Sequence, residues 1–219
     1  MRVLELFSGT KSVGKCCSEL GWESISVDLE LPANHKVDIM EFNYKQYPKD
    51  HFDIVWASPP CCSYSKLQTT WFGRKRKGVI FTREIWEEEM KESDKLVKKT
   101  FEIIEYFNPD LWFVENPQTS ELKKRDFMKD IPFYDVDYCK YSNWGYRKRT
   151  RIWTNKKNWI NFICHNDCDN MIGTLHKRNL GNTACNKRAN LMNVCKCNLT
   201  TLHERYRVPE DLIFSLFLE

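Results

Sequence analysis

Short apolar runs alternate with stretches of helical periodicity over the first 155 residues. Because strands that are separated by helices must cross over the sheet, this order predicts an α/β fold with a parallel sheet and helices on both faces. The predicted strands are Val3–Phe7, Ser24–Val27, His35–Asp38, Phe52–Ala57 and Leu111–Val114, followed by a hairpin of Phe133–Cys139 and Arg151–Thr154. The predicted helices are Lys11–Leu20, which Gly21 ends, and Glu84–Phe107, which Asn108-Pro109 ends.

This periodicity is lost over residues 156–204, which are rich in Asn, Lys, Cys and Thr. We expect long loops there, ordered by a partner or by a metal. A helical pattern returns between Leu202 and Leu218, with Pro209 suited to a first helical turn. The pattern therefore predicts an α/β domain over residues 1–155, a small loop-rich segment over 156–204, and a C-terminal helix over 205–219 that packs back on the domain.

The charges are unevenly distributed along the 219-residue chain. Residues 1–138 carry a net charge of −4, residues 139–207 carry +11, and the last twelve residues carry −3, for a total of +4. The basic part favours a polyanion such as nucleic acid as a partner, although a solvated basic surface would give the same distribution.

Composition limits the class of protein and its compartment. Hydrophobic residues make up 42% and charged residues 29%, which is typical of a globular protein, and no apolar run approaches the ~20 residues that span a bilayer. The start of the chain is too charged for a signal peptide. Ten cysteines therefore indicate free thiols or metal ligands in a reducing intracellular compartment, cytoplasmic or nuclear.

The segment Ser58-Pro59-Pro60-Cys61 directly follows the predicted strand that ends at Ala57. Two prolines stiffen a loop at a strand end, where an open α/β sheet presents its ligand crevice. Such a loop could aim the Cys61 thiol as a nucleophile, or it could be a turn with an incidental cysteine. Glu115 ends the next strand, so it should face the same crevice and could donate a proton there. The alternative is a salt-bridged carboxylate beside a helix cap at Asn116.

A second group of residues predicts a cofactor that contains adenosine. Phe7-Ser8-Gly9-Thr10 lies at a strand-to-helix turn, where a glycine lets the backbone approach a ligand closely. Asp28 ends the second strand and could accept hydrogen bonds from ribose hydroxyls, or it could be a solvated carboxylate. The turn has neither the GxGxxG pattern nor a P-loop lysine, which argues against a bound triphosphate.

Two basic groups are candidates for anion binding. Arg147, Arg149 and Arg151 recur at every second position of a predicted strand, so their guanidinium groups should share one face and bind either phosphate or the crevice carboxylate. The loop Arg74-Lys75-Arg76-Lys77 follows the Pro-Cys segment and could contact nucleic-acid phosphates, or it could be a solvated charge run.

The order of these motifs resembles the cytosine-5 DNA methyltransferases, and more narrowly a short viral and phage-type branch of that family. The resemblance covers residues 1–155 and rests on Phe7-Ser8-Gly9, Asp28, Pro59-Pro60-Cys61, Glu115-Asn116 and the Arg-x-Arg at 149 and 151, with Arg207-Val208-Pro209 before the last helix. It implies a class I, Rossmann-like fold that binds S-adenosylmethionine and methylates carbon 5 of cytosine in DNA.

The resemblance also implies roles for individual residues. Cys61 would add to carbon 6 of cytosine, while Glu115 would contact N3 and the exocyclic amine. Arg149 and Arg151 would steady the base and the catalytic loop. The implied cofactor-binding residues are Phe7, Ser8, Gly9, Thr10, Asp28, Leu29, Asp38, Ile39, Ser58 and Pro59. The implied nucleic-acid contacts are Arg74, Lys75, Arg76, Lys77 and Arg147, and the target base would have to leave the duplex.

The sequence departs from the family pattern in several places. Cys62 replaces the usual Gln after Pro-Cys, Arg147 replaces the Gln of Gln-x-Arg-x-Arg, and the large target-recognition domain is missing. The substrate could therefore be a nucleotide, RNA or single-stranded DNA, or the protein could bind nucleic acid without catalysis. Amino-group methylation is a further alternative, against which Cys61 and Glu115 argue.

Cysteine and histidine cluster in the loop-rich segment. Cys164-x3-Cys168, His176 and Cys185 could form a tetrahedral zinc site, which would order a segment that has no core of its own. Reduced cysteines without a metal are the alternative.

Overall fold

The computed structural model of the chain describes residues 1–178 and 201–218. The strands of the main sheet are β1 (Arg2–Leu6), β2 (Glu23–Asp28), β3 (His35–Lys36), β4 (Ile54–Ala57), β7 (Leu111–Pro117), β8 (Phe133–Asp137) and β9 (Arg149–Thr154). Two small hairpins are formed by β5 (Lys75–Arg76) with β6 (Val79–Ile80), and by β10 (Met171–Ile172) with β11 (Leu175–His176). All strands predicted from the sequence are present, with ends displaced by at most three residues.

The main sheet has the spatial order β3-β2-β1-β4-β7-β9-β8. The first five strands in this order are parallel to one another, whereas β9 is antiparallel to both β7 and β8. The chain leaves β1, builds β2 and β3 on one side, and returns to β4 on the other side of β1. The carboxyl ends of β1 and β4 therefore flank the switch point at which such sheets bind ligands.

The α-helices of the described residues are α1 (Ser12–Glu19), α2 (Arg83–Phe107), α3 (Leu202–Tyr206) and α4 (Glu210–Leu218). Short 3-10 helices span Tyr44–Gln46, Lys66–Trp71, Glu121–Lys124, Asp126–Met128 and Tyr138–Lys140. The pattern between Leu202 and Leu218 forms two helices rather than one, because Arg207 is extended and the residue before Pro209 disfavours helical geometry. Within the described ranges, no helix is both long and apolar enough to cross a membrane.

Helices cover both faces of the sheet, which confirms the layered α/β prediction. On one face, α2 packs against the alternating strand residues Leu4, Leu6, Val55, Ala57, Val114 and Trp153. On the other face, α1 and α4 pack against the intervening residues Val3, Ile54, Trp56, Phe113 and Ile152. Because successive strand residues point to opposite faces, a nearly continuous apolar strand supplies both cores at once.

Helix α2 supports the loop that follows β4. Its first turn is capped by Thr82, whose hydroxyl accepts from the Ile85 N–H at 3.4 Å. It ends at Asn108, which has the left-handed φ of +46° that lets a short polar residue stop a helix. The helix between these two caps has 25 residues, so one face of α2 reaches from the sheet core to the loop that follows β4.

Candidate active site

The Pro-Cys loop after β4 is held from two sides by hydrogen bonds. At the end of β7, Asn116 Nδ2 donates to the Pro59 carbonyl at 3.0 Å. From α2, the Trp86 indole N–H donates to the Ser63 carbonyl at 2.6 Å. Because the two bonds bracket Cys61, they fix its position between β7 and α2.

A buried ion pair holds the far end of the same loop. The Tyr64 hydroxyl donates to Asp94 Oδ1 at 2.9 Å, and Arg125 donates to Asp94 Oδ2 at 2.6 Å. Burial and the bond to Asp94 raise the pKa of Tyr64, so its hydroxyl remains a donor. A buried and fully paired network of this kind couples the loop rigidly to α2.

Glu115 lies at the end of β7 and is 6% exposed. The Tyr138 hydroxyl donates to Glu115 Oε1 at 3.0 Å, and Lys148 Nζ donates to the same oxygen at 3.3 Å. Lys148 Nζ also donates to the Arg205 carbonyl at 3.2 Å, so it links the Glu115 carboxylate to helix α3. Both of these hydrogen bonds to Glu115 use Oε1.

The Cys61 thiol shares one electrostatic environment with Glu115. A hydrogen bond with Cys62 and burial raise the pKa of Cys61, the Glu115 carboxylate raises it further, and the Lys148 ammonium opposes the rise. The same hydrogen bond lowers the pKa of Cys62 to about 6, against the effect of burial and with the help of Arg205. The two thiols therefore titrate as a coupled pair, in which burial and the Glu115 carboxylate disfavour the Cys61 thiolate.

The turn after β1 and the end of β2 are tied together. The Gly9 backbone N–H donates to Asp28 Oδ2 at 2.9 Å, while Asp28 Oδ1 accepts from two N–H groups that follow it in the chain. Gly9 has φ +49°, and a Cβ there would meet no atom closer than 3.8 Å. Ser8 is buried, and its hydroxyl has no hydrogen-bond partner in the described structure. An unpaired hydroxyl beside an open glycine turn marks a place for a polar ligand.

The other predicted cofactor residues lie near the carboxyl edge of the sheet. After β3, Asp38 Oδ1 accepts from the following turn at 2.8 Å, and Ile39 is buried beside it. Ser58 Oγ, at the end of β4, accepts from the Trp56 indole at 3.0 Å, and the adjacent Pro59 is buried. Leu29 is 58% exposed, so it can contact a ligand only from the rim.

The Arg207-Val208-Pro209 segment packs directly on the first turn. Ser12 Oγ accepts from the Val208 N–H at 3.1 Å and contacts the Thr10 hydroxyl at 2.9 Å. A cavity of about 880 Å³ opens beside this contact, lined by Thr10 and Arg207 and by residues of the loop-rich segment. Neither Cys61 nor Glu115 is among the residues that line this cavity.

Arg149 and Arg151 contact aspartates rather than Glu115. Arg149 forms hydrogen bonds of 3.0 and 2.6 Å with Asp137, and Arg151 forms hydrogen bonds of 2.7 and 2.9 Å with Asp135. The expectation that these two arginines bind phosphate or the crevice carboxylate is therefore wrong, because β8 supplies an anion opposite each one. Their catalytic role stays a prediction.

Arg147 was expected to share the strand face of the other two arginines. It lies outside β9, which begins at Arg149, and it is exposed. The chain turns at Gly145, which has φ +83°, only shortly before this position. Arg147 therefore does not extend the strand, although its exposure leaves it accessible to nucleic acid.

The basic loop forms the β5–β6 hairpin, and its four charges are not equivalent. The Arg76 guanidinium pairs with Glu89 and lies 4.0 Å from the centre of the Phe81 ring. Arg76 therefore supports the hairpin, which corrects the expectation that it is free to contact nucleic acid. The exposed members of the loop are Arg74, Lys75 and Lys77.

Three of the four predicted metal ligands lie together, but with a different fourth residue. The ligand atoms of Cys139, Cys164, Cys168 and His176 all lie within 4.8 Å of one another. Cys139 belongs to the turn after β8, and the remaining predicted ligand, Cys185, lies outside the described residues.

The structure adds Tyr138, Lys148 and Arg205 to the neighbourhood of the crevice, none of which the motifs singled out. Lys148 could have been found, because it occupies the alternate position of the Arg-x-Arg run and so points away from the face of Arg149. Tyr138 and Arg205 carry no comparable signal, since only the folding of their segments brings them to Glu115 and Cys62.

The strand order, with β9 as the single antiparallel strand beside the last one, is the order expected of a class I methyltransferase. The chain is 41% identical over 175 residues to the "Probable DNA (cytosine-5)-methyltransferase" of Frog virus 3 (isolate Goorha), covering 78% of this chain and 79% of that protein. It therefore belongs to the DNA (cytosine-5)-methyltransferase family.

Among solved structures, the chain is similar to one described as a DNA modification methyltransferase encoded within an E. coli prophage. The identity is 12%, the TM-score is 0.47, and the match covers 70% of this chain and 46% of that chain. No protein-family model matches the sequence.

Proposed function

We propose that the protein transfers a methyl group from S-adenosylmethionine to carbon 5 of cytosine in DNA, through a covalent bond between Cys61 Sγ and carbon 6 of the base. One observation carries the proposal. The loop that bears Cys61 and the strand end that bears Glu115 are tied together at 3.0 Å by Asn116 and Pro59. Because this hydrogen bond holds the two segments side by side, the Cys61 nucleophile and the Glu115 carboxyl group could act on one ring.

The proposed chemistry begins at Cys61. A thiolate at this position adds to carbon 6, and the electron pair displaced by this addition moves to carbon 5. A proton on Glu115 Oε2 would donate a hydrogen bond to N3, and the same oxygen would accept from the exocyclic amine, which favours the addition. Carbon 5 would then take the methyl group, with S-adenosylhomocysteine as the leaving group, and loss of the carbon-5 proton to solvent would expel the Cys61 thiolate and restore the ring. Lys148, whose ammonium opposes the raised pKa of Cys61 and which donates to Glu115 Oε1, supports both groups.

The turn after β1 fits the cofactor that the family uses, which supplies an electrophilic methyl group. Ser8 offers a buried hydroxyl without a partner, and Gly9 leaves the space that a side chain would fill. Asp28 orients this turn, and its remaining lone pairs could accept ribose hydroxyls. We further propose that the cofactor site is lined by Phe7, Thr10, Leu29, Asp38, Ile39, Ser58 and Pro59.

The hairpin that follows the Cys61 loop is the proposed DNA contact. Arg74, Lys75 and Lys77 are exposed there, and Val79 and Ile80 are 54% and 52% exposed on the same hairpin. Cations can neutralise phosphates while apolar side chains fill the space left by an extruded base. A nucleic-acid substrate and the free cysteines among the described residues support an activity inside a cell.

Covalent trapping tests the proposal. A duplex that carries 5-fluorocytosine should form a stable adduct with the protein in the presence of S-adenosylmethionine, because fluorine cannot leave carbon 5 as a proton does. The adduct should disappear in Cys61→Ser and persist in Cys62→Ser, which is the matched neighbour. Loss of the adduct in Cys62→Ser alone would assign the nucleophile to Cys62, and no adduct with any substrate would contradict the proposal.

The substrate can be assigned in the same assay. Duplex DNA, single-stranded DNA and RNA of one sequence should be compared, and duplex DNA should react fastest. Bisulfite sequencing of DNA from cells that express the chain should then show unconverted, methylated cytosines only with the intact Cys61. Exclusive reaction of single-stranded DNA or RNA would keep the chemistry but overturn duplex DNA as the substrate.

A further inference from the structure

We propose that Cys139, Cys164, Cys168 and His176 bind one zinc ion in a closed tetrahedral site that fastens the loop-rich segment to the sheet. The site shares no residue with the proposed catalytic pair Cys61 and Glu115, and its existence does not rest on the proposed function. Three of these residues follow one another in the loop-rich segment, whereas Cys139 comes from the turn after β8.

The distances agree with zinc geometry. The Sγ atoms of Cys164 and Cys168 lie 3.6 and 3.4 Å from His176 Nε2. Zn–S bonds of about 2.3 Å and Zn–N bonds of about 2.0–2.1 Å at tetrahedral angles require about 3.6 Å between sulfur and nitrogen. A disulfide would require sulfur atoms about 2.05 Å apart, and all three cysteines are free.

The chain turns tightly between the first two cysteines. Asn166 has the left-handed φ of +64°, and the His165 N–H donates to Asp167 Oδ1 at 3.0 Å. The sulfur atoms of Cys164 and Cys168 both lie within 3.6 Å of His176 Nε2. The His176 ligand is presented by the β10–β11 hairpin, which turns back on Cys168 through the 3.1 Å bond between Met171 N–H and the Cys168 carbonyl.

Hydrogen bonds outside the cluster hold the ligands in place. Asp137 Oδ2 accepts from the Cys164 N–H at 2.9 Å, and Asn170 Nδ2 donates to the Cys139 carbonyl at 2.9 Å. Asn170 is 3% exposed, so its amide is committed to this contact. Partners of this kind are typical of metal sites, in which they fix the orientation of the ligands.

The segment has few other means of becoming ordered. Between residues 156 and 178, the buried apolar side chains and thiols are Trp159 and Cys164. A segment with so little apolar burial gains its folding free energy from metal coordination instead. Because four protein ligands leave no open position, the metal is structural rather than catalytic.

The site lies one residue from the catalytic pocket. Asp137, Tyr138 and Cys139 are consecutive, and they respectively bind Arg149, Glu115 and the proposed metal. If the proposed function holds, loss of the metal should also displace Tyr138 from Glu115. Adduct formation should then fall without any change to Cys61 itself.

Metal analysis of the full chain, expressed and purified with zinc present, tests the proposal. The unmodified protein should contain one zinc per chain, and Cys139→Ser should lose most of it. Cys185→Ser is the matched control, because it was the fourth ligand expected from sequence, and it should keep its zinc. Zinc lost in Cys185→Ser and kept in Cys139→Ser would overturn the assignment, as would an unmodified protein without bound zinc.

A second measurement protects the test against misfolding of the serine variant. Cobalt in place of zinc should give the intense visible bands of a tetrahedral thiolate site in the unmodified protein. His176→Cys conserves a ligand, so it should keep the metal and strengthen the sulfur-to-cobalt charge-transfer band. An octahedral cobalt spectrum, or a band unchanged in His176→Cys, would contradict the proposed ligand set whatever the methyltransferase assay shows.

Discussion

Tyr138→Phe is the sharpest test of how the structure positions Glu115. The substitution removes one hydroxyl from a side chain that is fully buried, and it leaves the ring in place. The lost hydrogen bond is 3.0 Å long and has a buried carboxylate as its acceptor, which then keeps only Lys148 at 3.3 Å. A hydrogen bond to a charged group contributes about 1.5–3 kcal/mol. If that bond acts in the transition state, the rate should fall about 10–150-fold, since about 1.4 kcal/mol corresponds to a factor of ten.

The assay is single-turnover adduct formation with a 5-fluorocytosine duplex, together with DNA affinity and urea denaturation. We expect a slower adduct-forming step at unchanged DNA affinity, because Tyr138 acts through Glu115 and has no exposed surface to contact DNA. Tyr146→Phe is the matched control. It is another fully buried tyrosine, but its hydroxyl donates to the neutral Glu204 carbonyl at 2.9 Å.

The control should lose about 0.5–1.5 kcal/mol of unfolding free energy with little change in the adduct-forming rate. Adduct formation by Tyr138→Phe within twofold of the unmodified rate would contradict the positioning of Glu115 by Tyr138. Equal slowing of both variants in proportion to their loss of stability would contradict it as well.

Two further predictions follow from charges in the structure. Burial raises the pKa of Glu5 to about 7, so the folded chain favours the neutral carboxyl group. The protonated Glu5 stabilises the fold fully below about pH 4.5, and this stabilisation is lost as the pH rises to 7. The free energy of unfolding should therefore fall by about 3 kcal/mol over that pH range. Urea denaturation of Glu5→Gln should show a weaker dependence on pH, and equal pH profiles for the two proteins would contradict the assignment. In the β5–β6 hairpin, Lys75→Ala and Lys77→Ala should each reduce the salt dependence of DNA binding by about 0.9 in the log–log slope. Arg76→Ala should instead destabilise the hairpin, because Arg76 pairs with Glu89; a pure affinity loss in Arg76→Ala would count against this distinction.

The sequence determined the layered fold because its signals are local. Apolar runs of strand length, the long stripe of α2 and the stops at Gly21 and Asn108 each act within a few residues, so strand and helix ends were displaced only slightly. The Pro-Cys loop and Glu115 were also found in this way, since strand ends of a parallel sheet meet at one edge.

The tertiary structure decided which side chains pair. The antiparallel register of β8 on β9 sets Asp135 opposite Arg151 and Asp137 opposite Arg149, and periodicity does not encode that register. The same arrangement sends Lys148, rather than an arginine, to Glu115.

The proposed metal ligands also differ in whether the sequence alone could reveal them. The spacing of Cys164, Cys168 and His176 was visible in the sequence, because those ligands lie within 12 residues of one another. Cys139 was not, because it reaches the cluster only after β8 and the loop-rich segment have folded together. The chain thus specifies elements and short-range ligand spacing by local chemistry, whereas the partner of each charge and the last ligand depend on contacts between distant segments.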